Sequence, residues 1–259
     1  MIATANRGRD MTLTLKLGCA GFALMGAPAF AQASLSISSE YSSGAYGEVT
    51  DTTLLYTAIG AGYAADGWIF DATLPWVQLE GPAIFLGPDI PLARGDAMRG
   101  PDDDVSGLAD LSISAGRTLE LSANGATRLD VTGRVLLPTG DEEKGLSTGE
   151  TRGSLGLDLS QDVRDWTLFA GGGRRFNGAG YEDGWFGSAG LAWTGSSVSI
   201  GAAYDFSEAS TAGVDAASEI SAWVSLPMGR TSRFQIYGVA GFSEGSPDQA
   251  IGARIVFGG

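Results

Sequence analysis

The sequence predicts an all-β fold, a transmembrane antiparallel up-and-down β-barrel of about twelve strands. Three observations lead there. Short segments alternate with period two, and their polar faces carry charges. The connections between them alternate long and short. Aromatic residues sit at the ends of apolar faces, with small or aliphatic residues between them. With 40 glycines among 259 residues and 44% hydrophobic content, the chain lacks the long Glu/Lys/Leu runs that build helices.

Residues 1–31 read as an export signal. Arg7, Arg9 and Lys16 precede the apolar run "LGCAGFALMGAPAFA", and Ala29, Ala31 and Ala33 satisfy the small-x-small rule for cleavage after Ala31 or Ala33. Translation from Met11 would leave a more ordinary signal length. Cys19, the one cysteine, lies inside the run, and Lys16 stands where a lipoprotein signal wants Leu. Without this leader the chain keeps 13 basic and 29 acidic residues, a net charge of −16, and no cysteine for a disulfide. Residues 32–259 are then one barrel domain.

The apolar faces follow in order. Leu35, Ile37 and Tyr41 share the first, and Leu55, Thr57, Ile59, Ala61 and Tyr63 the second. Trp68, Phe70, Ala72, Leu74 and Trp76 make the third. After a long gap come Ala109, Leu111, Ile113 and Ala115, then Leu129, Val131, Gly133, Val135 and Leu137. Leu155, Leu157 and Leu159, then Trp166, Leu168 and Ala170, continue the series. The remaining faces begin at Trp185, Val198, Ile220, Phe234 and Ile251. The odd connections are long: roughly 42–51, 78–104, 139–151, 174–184, 207–218 and 244–249. The even ones, "AADG", "TGSS" and "MGRTS", are short. A hairpin needs only a few residues to reverse, so strict sorting of loop length needs a cause. A membrane barrel supplies one, with short periplasmic turns, longer outer loops and an even strand count. Trp68 with Trp76, Trp185 with Trp193, and Phe234 with Phe242 bracket their faces as interfacial girdles would.

The opposite faces decide the sidedness. Arg128, Asp130, Thr132 and Arg134 share one, with Leu129, Val131 and Val135 behind them. Ser154, Gly156, Asp158 and Ser160 line the next. Asp205, Glu219, Arg233 and Arg254 lie on the polar faces of later strands. An Arg facing hydrocarbon at mid-bilayer costs about 2–4 kcal/mol, whereas in a hydrated lumen it costs little. The expected arrangement therefore has the apolar set outside and the charged set inside. Arg128, Arg134, Arg233 and Arg254, set against Asp130, Asp158, Asp205 and Glu219, are expected to form a constriction that tunes charge selectivity.

Composition removes other functions. A net charge of −14 and a pI near 4.3 leave no broad basic surface for nucleic acid. Histidine is absent, which excludes His-based acid–base catalysis and His-ligated metal sites. No cofactor is expected, and no enzymatic role: barrel hydrolases pair a serine or acid with histidine. The stretch "PDDDVSG" opens like a calcium loop at Asp102, Asp104, Ser106 and Gly107, yet Ile113 stands where the bidentate Glu belongs. The reading is a solvated acidic loop. Arg94-Gly95-Asp96 spells an adhesion tripeptide with no further support.

Gly107, Leu108 and Asp110, the corner Pro138-Thr139-Gly140-Asp141, and Ser147-Thr148-Gly149 carry a resemblance over residues 105–206. That region resembles an exported barrel family assigned to the MetA pathway of phenol degradation and to generic outer-membrane transport. The resemblance implies a barrel in the outer membrane of a Gram-negative bacterium, and uptake of aromatic or other hydrophobic compounds. Arg152 stands where an acidic or small residue is expected. Pro138 should end its strand, Gly140 and Gly145 should permit tight turning, and Asp141 should cap the turn, all architectural roles.

The expected function is a passive channel or facilitator for small molecules, aromatic compounds among them. The alternative is a structural or adhesive barrel without transport. The expected partners are outer-membrane lipid and lipopolysaccharide, a small-molecule solute and the barrel assembly machinery.

Overall fold

The computed structural model describes residues 32–46, 51–81, 104–178, 181–209 and 215–258. The leader at residues 1–31, Arg94-Gly95-Asp96 and Asp102 lie outside the described residues. The strands are β1 (Gln32–Gly44), β2 (Thr52–Ala65), β3 (Trp68–Glu80), β4 (Val105–Leu108), β5 (Leu111–Glu120), β6 (Thr127–Leu137) and β7 (Arg152–Val163). They continue as β8 (Trp166–Phe176), β9 (Gly184–Thr194), β10 (Ser199–Ser207), β11 (Ala217–Met228), β12 (Ser232–Gly241) and β13 (Gln249–Phe257).

All pairings are antiparallel, and β1 pairs with both β2 and β13, which closes the sheet. β4 and β5 share one partner: Trp76–Leu79 of β3 pair with β4, and Trp68–Thr73 pair with β5. They are one strand broken at Ala109–Asp110, so the thirteen segments make a closed twelve-stranded barrel. The short turns and both ends of the sheet lie at one rim, and the long connections lie at the other. The two-residue reversal at Asp66-Gly67 has both central residues at positive φ (51° and 77°), the geometry that Asp-Gly suits in a hairpin.

Two expectations need correction. Regular alternation through Ala109, Leu111 and Ile113 fails at its first member. Ala109 and Asp110 are both buried inside while Leu108 is exposed, because a bulge inserts a residue and shifts the parity of the face. The strands also run further than their apolar residues suggest: Ser42–Gly44 pair with Thr52–Leu54, inside the expected first loop. Backbone ladders continue through polar residues that give no periodic signal.

The alternation is inverted relative to a soluble sheet. On β7 Leu155, Leu157 and Leu159 are 61%, 54% and 47% exposed, while Ser154, Asp158 and Ser160 between them are buried. The same holds around the wall at Ile37, Ile59, Ile113, Val131, Leu168, Ile200, Ile220, Ile236 and Ile251. Leaving such side chains in water forgoes about 1.5–3 kcal/mol each, and a continuous apolar belt far exceeds what a dissolved monomer exposes. Exposed aromatics bracket this belt. Tyr63, Trp68, Phe70, Trp166 and Phe257 ring the short-turn rim, while Tyr41, Trp76, Phe176, Trp185, Tyr204 and Phe242 ring the long-loop rim.

Candidate functional site in the barrel interior

Residues paired across the ladder that face the same side form rows along the inner wall. One row runs Thr118, Asp130, Asp158, Gly171, Ser188, Asp205, Glu219 across β5 to β11. It begins near the short-turn rim and ends near the long-loop rim, because the strands tilt against the barrel axis. It holds two directly opposed acid pairs, Asp130 with Asp158 and Asp205 with Glu219. Thr118 donates to Asp130 Oδ1, and Ser221 donates to Asp205 Oδ2 at 3.3 Å. Glu219 lies within electrostatic reach of Asp205 and Glu40.

A second row runs Asp71, Ser114, Arg134, Ser154, Arg175. Asp71 lies within electrostatic reach of both Arg134 and Arg254. Arg254 Nη2 also donates to Ser36 Oγ at 3.1 Å, and Arg175 Nη2 donates to Ser207 Oγ at 2.6 Å. The carboxylates of the first row and the guanidiniums of the second thus occupy separate tracks.

All eight residues expected to line the interior face inward, and the structure sorts them into groups at different heights. Asp130 meets Asp158, Asp205 meets Glu219, and Arg134 and Arg254 gather about Asp71. Arg128 stands apart near the short-turn rim, where it holds Asp162 in a bidentate pair at 3.1 and 3.2 Å. Arg233 on β12 donates to Ser225 Oγ at 3.5 Å. Glu40, Asp71 and Asp162 were not singled out from the sequence. Parity would have found the first two, since Tyr41 and Phe70 beside them point outward.

Aromatic side chains fill part of the lumen. Phe169, Trp223 and Tyr237 pack with Ala192, Ala203, Val239 and Ala250 in one inward cluster. The ring of Trp223 lies over Gly201, that of Phe169 over Gly190 and that of Tyr237 over Gly252. A Cβ at those glycines would fall 2.2, 2.4 and 2.0 Å from ring or hydroxyl atoms. Glycine is required there by close approach.

The corner motif has an architectural geometry. Pro138 directly follows the end of β6. Thr139 Oγ1 accepts from the Leu111 N–H at 2.9 Å, and Asp110 Oδ1 accepts from the Gly140 N–H at 3.2 Å. Asp141 Oδ1 accepts from the Lys144 N–H at 3.1 Å, capping the turn, and Gly145 takes a φ of 69°. Gly140 serves by close approach, since a Cβ there would sit 2.5 Å from the Leu146 carbonyl oxygen. The unexpected Arg152 has a partner: its Nη2 lies 3.5 Å from Asp110 Oδ2, both side chains being almost wholly buried. The Gly-Leu-x-Asp strand and the Pro-Thr-Gly-Asp corner are two halves of one contact.

Among the described residues no group of His, Cys, Asp or Glu could hold a metal ion. The arrangement is electrostatic and steric: a polar interior with an acidic row, arginines gathered about Asp71, and aromatic side chains filling part of the lumen.

No family model and no curated protein matches the chain. Solved structures do. The β domain of the Bordetella autotransporter BrkA matches with a TM-score of 0.51 at 13% identity, over 89% of this chain and 99% of that one. The P. putida toluene transporter TodX matches with a TM-score of 0.46 at 12% identity, over 90% of each chain. Salmonella typhi OmpF in complex with daunomycin matches with a TM-score of 0.43 at 9% identity, over 89% of this chain and 97% of that one. The BrkA match and the strand pairing agree on the fold: a closed antiparallel β-barrel of twelve strands.

Proposed function

We propose that this chain is exported through a cleaved leader at residues 1–31 and inserted in the outer membrane of a Gram-negative bacterium. There it acts as a narrow passive channel for small polar molecules, with a preference for cations. The partners are membrane lipid and lipopolysaccharide outside, a small solute inside, and the assembly machinery that inserts such barrels. The observation that carries the reading is the acidic row from Asp130 through Asp158 and Asp205 to Glu219, which climbs the inner wall between the rims. Fixed carboxylates facing a lumen lower the barrier for cations and raise it for anions. Aromatic compounds, the solute implied by the family resemblance, suit this charged interior less well than polar ones.

Planar-bilayer recordings of the purified protein test this. A cation-selective reversal potential in a salt gradient is expected, as is a shift towards stronger cation selectivity in Arg134→Glu. Liposome swelling with small sugars against aromatic acids separates the solute classes.

A second reading, a structural or adhesive barrel without transport, has its own observation. Phe169, Trp223 and Tyr237 occupy the lumen and are nearly fully buried. Absence of conductance in a folded, heat-modifiable preparation favours it.

A further inference from the structure

Besides the aromatic cluster about Trp223, a second apolar place interrupts the polar interior among the described residues. Leu54 on β2, Val77 and Leu79 on β3, and Ala109 beside the bulge make an apolar niche on the inner wall at the long-loop rim, with Tyr46, Tyr56 and Val105 around it. The residue that fills it comes from the β6–β7 loop: Leu146 is 1% exposed. The fit is close, since a Cβ at Gly107 would sit 2.8 Å from Leu146 Cδ1. Beside it Ser147 is equally buried.

The loop is fastened on both sides of that residue. Before it, the Gly140 N–H donates to Asp110 and Thr139 accepts from Leu111 N–H. Within it, Lys144 Nζ reaches the Ser106 carbonyl at 3.5 Å and Asp141 at 3.4 Å. After it, Arg152 meets Asp110. Asp110 keeps the inward parity of Ser114, and the bulge turns Ala109 inward beside it, so bulge, loop corner and ion pair form one device. A loop needing only to connect two strands outside the barrel has no use for a buried ion pair, which costs desolvation and is retained where it fixes a position.

We propose that the β6–β7 loop is an inward-folded constriction at the long-loop mouth, with Leu146 as its bolt and the Asp110–Arg152 pair as its latch. Its effect on flux rests on the channel reading above. The folded-in position stands independently.

Two measurements on the full-length chain, with Cys19→Ser as background, test it. The first labels single cysteines in the membrane-inserted barrel with a membrane-impermeant maleimide. Leu146→Cys is expected to react at least about tenfold more slowly than Glu143→Cys at the exposed loop tip, because labelling must await local opening. Adding Asp110→Asn should speed it, since Asn still accepts from Gly140 but removes the charge that faces Arg152. Equal labelling of the two cysteines overturns the proposal whatever the conductance. The second compares unitary conductance. Asp110→Asn and Leu146→Asp should raise it and Leu146→Met should not, heat-modifiability confirming that each variant is folded. Conductance present but unchanged in the released variants overturns the constriction and leaves the channel reading standing. No conductance in any variant, with labelling showing the loop released, overturns both.

Discussion

Tyr237 on β12 donates its hydroxyl to Glu40 on β1 at 2.8 Å, reaching across β13 where Gly252 leaves room for the ring. The contact spans the seam at which the last strand of the sheet meets the first, 197 positions apart in sequence. The seam is therefore held by its backbone ladder and by a side-chain hydrogen bond inside the wall.

Removing that donor should loosen closure. Tyr237→Phe leaves the Glu40 carboxylate without its phenol partner, a loss of about 1–3 kcal/mol for a buried group. Gly252→Val should cost more, because its side chain occupies the space of the ring. Both should lower the temperature at which the folded band converts to the unfolded one on a semi-native gel. Glu40→Gln, which still accepts the hydroxyl, should cost less than Tyr237→Phe.

The acidic row should set ion preference. Asp158→Asn removes one charge from the middle of the track, and Asp130→Asn relieves its opposed partner. Each should reduce the cation-to-anion permeability ratio, the double variant should reduce it further, and Glu143→Gln on the exposed loop should leave it unchanged. A ratio unaltered in the double variant would detach selectivity from this row.

Sidedness was legible in the sequence because parity is a local property: Arg128, Asp130 and Arg134 could be assigned to one face from spacing alone, and they lie there. The partners across the barrel were not. Asp71 comes under Arg134 and Arg254 through ladder register and closure, which depend on pairings far apart in the chain. Ala109 was misplaced because an inserted residue leaves no periodic mark, and Arg152 looked anomalous because the Asp110 it faces sits 42 positions earlier. Glycines such as Gly201 and Gly252 read as generic sheet glycines until the aromatic side chains across from them were placed.

Trp223 should be both a strut and an obstruction. It is buried against Phe169, their ring centroids 6.4 Å apart, and it takes the space a side chain at Gly201 would need. Trp223→Ala should destabilise the barrel by about 3–5 kcal/mol, as large-to-small changes in packed interiors do. It should also raise unitary conductance by widening the lumen. Lower stability without any rise in conductance would assign the aromatic cluster to scaffolding alone and favour the structural reading of the barrel.

The outward face can be tested by depth. Leu157 lies midway along β7 and is 54% exposed, whereas Leu121 follows β5 at the short-turn rim and is 56% exposed. Water would treat these two positions alike, since their exposure is nearly equal. A bilayer would not: an Arg at the midplane of a barrel wall costs about 2–4 kcal/mol and one near the interface about 0–1. Leu157→Arg should therefore lower folding stability in lipid vesicles far more than Leu121→Arg, by roughly the difference of those ranges. In urea titrations of vesicle-inserted protein, Leu157→Arg should shift the midpoint markedly and Leu121→Arg hardly at all. Equal shifts would mean that both leucines meet the same medium, and the apolar belt would then have to be covered by something other than acyl chains.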